Sequence, residues 1–209
     1  MKLQQVKETI LESSLGYALW SGSVNGPKLD AIRRMIDRAG KTAPKVLDIG
    51  CGPGTSAALF ADEGYLGIDY NPQYIADASR KFPAKRFEVG DATKLALNGE
   101  KFDIVLINSL MHHLNDEECL SLLAGIDPVL ADGCSVIVQE PLTPEGNRPL
   151  MTFFMNQDRG DYFRPLDGWK GIFTSNDYQI VADDTYFLKL ANLMVAWQMY
   201  VALIEKRSA

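Results

Sequence analysis

From residue 45 to residue 140, short apolar runs alternate with stretches in which apolar residues recur at helical spacing. The runs predict β-strands at 45–49, 65–69, 86–89, 102–108 and 134–140, and the stretches predict helices at 55–63, 72–82 and 116–123. The run 102–108, Phe-Asp-Ile-Val-Leu-Ile-Asn, is apolar enough to be buried on both faces. Strands separated by crossover helices predict an α/β fold with a doubly wound, mostly parallel sheet.

The pattern changes after residue 140. The segment 141–171 is rich in aromatic residues, arginine, glycine and proline. Two later strands are predicted at 179–188 and 198–205, and the connection between them is too short for a crossover helix. They therefore predict a C-terminal antiparallel hairpin that completes a seven-stranded sheet. We interpret residues 1–209 as a single domain, with a helical cap over 1–40 that starts with an amphipathic helix at 1–14, and a substrate-cap insertion over 141–175.

The composition is that of an ordinary globular protein, and its charge limits the partners. Hydrophobic residues make up 46% of the 209 residues, enough to bury a sizeable core. The net charge of -6 argues against a nucleic-acid partner, because the phosphate backbone repels an acidic chain. The most apolar stretch, 186–204, is interrupted by Lys189, Asn192 and Gln198, so no membrane span is expected.

The chain has three cysteines, which are Cys51, Cys119 and Cys134. They are too far apart in sequence to give the ligand spacing of a structural zinc site, so no metal ion is expected. Sparse, unpaired cysteines suit a reducing compartment, and we predict a cytoplasmic protein. The oligomeric state is not predicted.

A glycine-rich turn, Asp48-Ile49-Gly50-Cys51-Gly52-Pro53-Gly54-Thr55, follows the first predicted strand. Glycine lets the backbone turn sharply and approach a ligand without a clash from a Cβ atom. The dinucleotide-binding fingerprint would place its third glycine at position 55, which is threonine here. That spacing argues against an NAD or nucleotide-sugar enzyme and leaves two interpretations, another ligand or a turn without one.

The spacing Asp-x-Gly-x-Gly-x-Gly resembles motif I of the class I S-adenosylmethionine (SAM)-dependent methyltransferases, and the resemblance covers roughly residues 45–140. It implies the fold of that family and SAM as the cofactor, with S-adenosylhomocysteine (SAH) as its product. The methionine part of SAM would lie against Gly50, Gly52 and Gly54, and Asp48 would lie near its ammonium group.

The acidic residues at the next two strand ends fit the same resemblance. Asp69 has two carboxylate oxygens that can accept both ribose hydroxyls, although an Asp before Asn-Pro is also a common turn or cap residue. Asp91 would accept a hydrogen bond from the adenine amino group, or it belongs to an ordinary Gly-Asp turn. The remaining cofactor contacts implied by the resemblance are Tyr70, Ala92, Asn108 and Tyr17, and for Tyr17 core packing is an equal alternative.

Methyl transfer needs a nucleophile aligned with the methyl group, and an alcohol or phenol also needs a base. The only histidines of the chain, His112 and His113, follow the fourth strand, where ligands bind in such folds. Glu140 ends the fifth strand and either orients an imidazole, binds the substrate or is a solvated strand end. We predict these three residues as catalytic, with a structural role for the histidines as the alternative. The absence of Asn-Pro-Pro-Tyr after the fourth strand weakens an assignment as an amino-group methyltransferase that acts on DNA bases or protein glutamine.

The predicted function is methyl transfer to a small-molecule acceptor, at oxygen. The alternative is a SAM-binding protein of the same fold that does not methylate, such as a regulator or a cyclase, because motifs for SAM report binding alone. Aromatic and cationic residues of the insertion form either an apolar pocket with an anionic subsite or a self-packed lid; the cations are Arg148, Arg159, Arg164 and Lys170.

Overall fold

The computed structural model describes residues 14–95, 97, 99–146, 148–156, 158, 160–190 and 194–207, without the side chains of 14–24, 150, 154, 190 and 194–196. Its helices are α1 (Ser14–Ala39), α2 (Pro72–Lys81), α3 (Asp116–Ile126), α4 (Pro149–Met155) and α5 (Leu166–Thr174). Its strands are β1 (Val46–Ile49), β2 (Tyr65–Asp69), β3 (Arg86–Val89), β4 (Phe102–Asn108), β5 (Leu130–Pro141), β6 (Tyr178–Leu190) and β7 (Met194–Lys206).

The seven strands form one sheet in the order β3-β2-β1-β4-β5-β7-β6. The pairs from β3 to β5 are parallel, while β7 runs antiparallel to both β5 and β6. The predicted fold class, a mostly parallel seven-stranded sheet with a C-terminal antiparallel hairpin, is confirmed. The order reverses between β1 and β4, and the carboxyl ends of strands beside such a reversal are the usual ligand site of α/β sheets.

Apolar residues cover both faces of the sheet. One core cluster includes Ile32 and Met35 of α1, and the other includes Leu122 of α3 and Trp169 of α5. The Trp169 indole donates to the carbonyl oxygen of Pro141, at 3.2 Å, which joins the insertion to the end of β5. Both faces are thus closed, and the polar strand ends are left as the place for chemistry.

The predicted helix at 55–63 is wrong. The structure has only a single 3₁₀ turn there, Ala57–Leu59, which ends at Phe60 in an extended conformation. Gly54, at φ +76°, ends the glycine turn. The core is then reached by the buried side chain of Ala57 and the partly buried side chains of Leu59 and Phe60, without a longer helix. Apolar spacing alone overstated the length of the element, because a few residues here satisfy the core.

The N-terminal helix predicted at 1–14 lies outside the described residues, apart from Ser14, which opens α1. Among the helices in the described part of the chain, none is long and apolar enough to cross a membrane. Cytoplasmic location and the extent of the caps stay predictions.

Candidate active site

The ends of the first three strands meet at Asp69. The amides of Gly50 and Cys51 donate to the carbonyl oxygen of Ile68, one residue before Asp69, at 2.8 and 3.0 Å. The amide of Gly90, just after β3, donates to the Asp69 carbonyl oxygen at 3.0 Å. The glycine turn and the region of Asp91 are therefore attached to the same strand end.

The Asp69 carboxylate holds the glycine turn directly. Its Oδ2 accepts the amide of Gly52 and its Oδ1 accepts the amide of Asn71, both at 2.9 Å. Each carboxylate oxygen can accept about two hydrogen bonds, so each retains capacity for one more donor. The residue is mostly buried, with 8% of its surface exposed. A vicinal diol such as ribose offers two donors that suit this pair of oxygens.

All three glycines of the turn have positive φ, a conformation that other residues rarely adopt, and the surroundings of Gly52 and Gly50 show the two sides of the turn. Gly52 has φ +54°, and an added Cβ would meet no atom within 4 Å, so a side chain would fill open space above the turn. Gly50 has φ +71°, and an added Cβ would come within 3.1 Å of the Leu110 side chain. The turn thus leaves open space for a ligand on one side and packs against the residues after β4 on the other.

Asp48 lies beneath this turn and is 1% exposed. Burial raises the pKa of its carboxyl group, the hydrogen bond from the Tyr65 hydroxyl at 2.7 Å lowers it, and the charge of Asp69 raises it, with a resulting pKa of about 7. A nearby ammonium group would favour the ionised form. The predicted role near the SAM ammonium fits this environment.

The predicted adenine contacts lie beyond β3. The Asp91 Oδ1 accepts the amide and hydroxyl of Thr93, at 2.9 and 2.7 Å, and so caps the 3₁₀ turn Ala92–Lys94. These bonds to Thr93 lower the pKa of the exposed Asp91 carboxyl group. Tyr70 is 78% exposed, a large aromatic surface without cover beside Asp69. Asp91 therefore has a structural task, and its Oδ2, 3.7 Å from the exposed Lys94 ammonium, is the oxygen that an adenine amino group would meet.

Asn108 belongs to a chain of side-chain hydrogen bonds at the ends of β4 and β5. Its amide nitrogen donates to Ser56 at 3.1 Å, and its oxygen accepts the Gln139 amide at 3.0 Å. The Tyr186 hydroxyl donates to Gln139 at 2.6 Å. Sequence reasoning found Asn108 but not these partners. The chain fixes the end of β4 to the glycine turn, so Asn108 acts on the cofactor site at least through Ser56.

Glu140 is 1% exposed, which excludes a solvated strand end, and its carboxylate is fully engaged. Oε1 accepts the amides of Leu110 and Met111 at 2.9 and 2.8 Å. Oε2 lies 2.7 Å from the His112 Nδ1 and accepts the His112 amide at 3.3 Å. Glu140 thus orients the 3₁₀ turn Met111–His113 and the His112 ring, and direct substrate binding has no geometric support.

His112 is buried between two carboxylates. Its Nε2 lies 3.3 Å from the Asp158 Oδ1, opposite the contact of Nδ1 with Glu140. Burial alone lowers the pKa of His112, but the hydrogen bonds and charges of Asp158 and Glu140 outweigh it and raise the pKa to about 9. The His112 ring is therefore charged near neutral pH, with both nitrogens engaged. This geometry opposes its use as a base.

His113 is exposed, and its ring centroid lies 4.2 Å from that of His112. Ligand atoms of His112, His113 and Asp158 all lie within 4.8 Å of one another, a group that could surround a cation. The ion pairs of His112 account for this spacing, so we assign no metal ion to it. Of the two histidines, His113 alone can meet a ligand from solvent.

Gly160 joins the insertion to this pair. Its amide donates to the Asp158 Oδ1 at 2.9 Å, and an added Cβ would overlap the His112 ring. The amide of Tyr162 donates to the His112 carbonyl oxygen at 2.9 Å, and Phe163 packs against the His112 ring with centroids 5.3 Å apart. The insertion therefore covers His112 and leaves His113 at the surface.

The cations predicted for an anionic subsite have other partners. Arg164 is 7% exposed and binds Asp116 together with three backbone carbonyls. Lys170 pairs with Asp183 at 2.7 Å, and Arg148 donates to the Glu145 carbonyl oxygen. Arg159 and the side chain of Tyr17 lie outside the described residues. An anionic subsite built from Arg148, Arg164 and Lys170 is not supported, and the self-packed lid fits Arg164 better.

Sequence reasoning missed two charged residues of the site, Lys28 and Asp158. The Lys28 ammonium donates to the Ser109 hydroxyl at 2.6 Å, across 81 residues of sequence. Asp158 reaches His112 from the insertion, where hydrogen bonds and charge from that ring and the Gly160 amide outweigh burial and lower its pKa to about 2. Neither residue belongs to a local motif, so no signal in the sequence marked it.

Comparison with known proteins identifies a methyltransferase domain. Residues 46–133 match the family model of a methyltransferase domain. Trans-aconitate 2-methyltransferase from Methylobacterium nodulans is 34% identical over 113 residues, which cover 51% of this chain and 42% of that protein. Demethylmenaquinone methyltransferase from Beutenbergia cavernae is 30% identical over 118 residues, covering 54% of this chain and 47% of that protein. The aligned region thus spans less than half the length of these relatives.

A solved structure shows the same fold over nearly the whole chain. Magnesium protoporphyrin IX methyltransferase from Synechocystis PCC 6803, solved with bound SAH, superposes with a TM-score of 0.68 at 14% identity and covers 98% of this chain and 100% of that one. At this identity the likeness concerns the fold alone. It shows that the chain has the class I SAM-dependent methyltransferase fold, and the family model places a methyltransferase domain at residues 46–133.

Proposed function

We propose that the protein transfers a methyl group from SAM to an oxygen atom of a small-molecule acceptor. The observation that carries the proposal is the Asp69 carboxylate, which binds the amide of Gly52 at 2.9 Å and retains hydrogen-bonding capacity beside the open space above Gly52. The relatives named trans-aconitate and demethylmenaquinone methyltransferase support a small-molecule acceptor.

The residues at the strand ends fit SAM. Asp69 would hold the ribose hydroxyls, Asp48 would face the ammonium group, and Gly52 would let the methionine part approach the backbone. Asp91 with Ala92, and the exposed ring of Tyr70, would lie on the adenine side. SAM supplies a methyl group on a sulfonium, which is already a good leaving group. The protein's task is therefore to align the acceptor oxygen and exclude water.

The residues after β4 and β5 would face the acceptor. Glu140 positions the turn Met111–His113 through three backbone amides. His112 is held by Glu140 and Asp158 and acts as a positioning residue for the same turn. His113, the exposed ring, is the candidate base for an acceptor that must lose a proton. Of the three residues predicted as catalytic, only His113 is thus proposed to touch the acceptor.

The first expected result is that the protein binds SAM and SAH but not NAD. The two carboxylate oxygens of Asp69 suit the ribose hydroxyls of SAM. Thr55 occupies the position at which a dinucleotide site needs its third glycine. Isothermal titration calorimetry with the three compounds measures this directly. Tight binding of NAD without binding of SAM would remove the proposed function.

The second expected result is that Asp69→Ala weakens SAM binding by about 2–4 kcal/mol, since two charge-assisted hydrogen bonds are lost at about 1.5–3 kcal/mol each and water replaces them in part. The amide of Gly52 also loses its acceptor, which adds to the effect. Asp132→Ala is the matched control, because Asp132 is exposed at the start of β5, at the opposite end of the strands. An affinity of Asp69→Ala within twofold of wild type would exclude Asp69 from the ribose site.

A further inference from the structure

Lys28 places an ammonium group at the ends of β4 and β5. It extends from α1 and donates to the Ser109 hydroxyl at 2.6 Å. Ser109 directly follows β4 and has φ +55°, an uncommon conformation for a residue other than glycine. Its amide donates to the Gln139 carbonyl oxygen at 2.7 Å, which fixes this conformation. The pair of Lys28 and Ser109 therefore has a defined position where an acceptor is expected.

The ammonium group of Lys28 has no ion-pair partner among the described residues. Glu140 and Asp158 act on it through their charges, but both carboxylates contact the two nitrogens of His112 instead. Burial lowers the pKa of Lys28, and the charges of Glu140 and Asp158 oppose that effect. Lys28 is half-buried, so its ammonium group has lost part of its hydration. Binding an anion would stabilise such a cation through charge-assisted hydrogen bonds.

The other cations around the site are engaged, as the contacts of Arg164, Lys170 and His112 show. An ammonium has three donors, and Ser109 takes one of them. An anionic oxygen beside Ser109 would accept a second of these hydrogen bonds and supply the missing negative charge. The exposed ring of His113 follows Ser109 by four residues, in the same connection after β4.

The Ser109 hydroxyl donates its own proton to the Asn108 Oδ1 at 3.3 Å, so it positions Lys28 and leaves the ammonium as the donor for a ligand. We propose that Lys28, held by Ser109, binds the nucleophilic oxygen of the acceptor, and that this oxygen is acidic, as in a phenol, an enol or a carboxylic acid. The inference rests on the proposed function and narrows its acceptor class. In the reaction the oxygen–methyl bond forms and the sulfonium–methyl bond breaks, which neutralises both charges. The proton of a phenol or enol leaves to His113, whereas a carboxylate carries none. Lys28 stabilises the anionic oxygen that attacks.

The test uses the full chain and matched pairs of acceptors. One member of each pair is an acidic phenol, enol or carboxylic acid, and trans-aconitate is one of these. The other member is a neutral alcohol or ester of similar shape. SAH formation is measured for wild type, Lys28→Met, Lys28→Arg and the control Arg33→Met. Arg33 lies on the same helix and pairs with exposed Asp30. We expect turnover of acidic acceptors only, and a fall in kcat/KM of about 10–100-fold in Lys28→Met, as for a lost hydrogen bond to a charged group.

Lys28→Arg should retain part of the activity, and Arg33→Met should equal wild type. SAM affinity, measured by calorimetry, should change less than twofold in all variants, which also shows that they fold. Equal turnover of neutral acceptors, unchanged kcat/KM in Lys28→Met, or no turnover of any acidic acceptor by a SAM-binding protein would each overturn the inference. Failure of wild type to bind SAM would instead remove the proposed function.

Discussion

Glu140→Gln is expected to lower the free energy of unfolding by about 3–5 kcal/mol at neutral pH, the usual effect of removing one partner of a buried ion pair. The wild-type carboxylate accepts three backbone amides and contacts the His112 Nδ1 at 2.7 Å. A glutamine has one acceptor oxygen, so its amide group would face donors whichever way it is turned. Urea unfolding of the two proteins measures the difference.

The decrease in the free energy of unfolding caused by Glu140→Gln should become smaller as the pH rises. The pKa of His112 is about 9 in the folded protein against an ordinary value of 6.5. A raised pKa of this kind gives stability that is fully present below pH 6.5 and is lost as the pH passes through 9. Above that range His112 is neutral, and removing the negative charge of Glu140 costs less.

Glu145→Gln is the matched control, because Glu145 is an exposed glutamate in the insertion that follows β5. It should unfold like wild type at neutral pH and also above the His112 pKa of about 9. Surface substitutions change the free energy of unfolding by less than about 1 kcal/mol. A change this small in Glu140→Gln at neutral pH would contradict the proposal that Glu140 holds the turn Met111–His113 and His112 in place.

The sheet was predictable from the sequence because its central strands are buried on both faces. A run such as Phe102–Asn108 has few alternatives to a central strand, and its observed bounds equal the predicted ones. The hairpin followed from the short connection between two late apolar runs, although β6 and β7 extend further than predicted. Residues 55–63 were the exception, since burying a few side chains there did not require a helix.

The cofactor side of the site was also accessible from sequence, because its residues follow successive strands. The parallel arrangement of β1, β2 and β3 brings the glycine turn, Asp69 and Asp91 to one edge. Their hydrogen bonds with backbone amides, such as that between Asp69 and Gly52, need only this local geometry. Strand order and strand ends therefore contain most of the information.

The acceptor side depends on contacts between distant segments, which local patterns do not record. His112 meets Glu140 across 28 residues, and Lys28 meets Ser109 across 81 residues. Asp158 lies in the insertion, where no strand and helix alternation fixes its place. The sequence could nominate two adjacent histidines, but only the packing of Gly160 and Asp158 on His112 distinguishes the covered ring from the exposed one.

That distinction leads to the prediction with the largest effect on catalysis. For a phenol or enol acceptor, His113→Ala is expected to lower turnover by about 10²–10⁴-fold, the usual contribution of a positioned base. SAM affinity should stay within twofold of wild type, because His113 is not assigned to the cofactor. Free imidazole added to the variant should restore part of the turnover, since the ring it replaces is exposed.

The comparison with Lys28→Met separates a base from a structural residue. A carboxylate acceptor has no proton to lose. With such an acceptor, the turnover of His113→Ala should stay near wild type, while the turnover of Lys28→Met should still fall. With a phenol or enol, the turnover of both variants should fall, and added imidazole should restore the turnover of His113→Ala only. Near-normal turnover of a phenol or enol by His113→Ala would mean that alignment alone drives the reaction and that both histidines serve the structure of the turn Met111–His113.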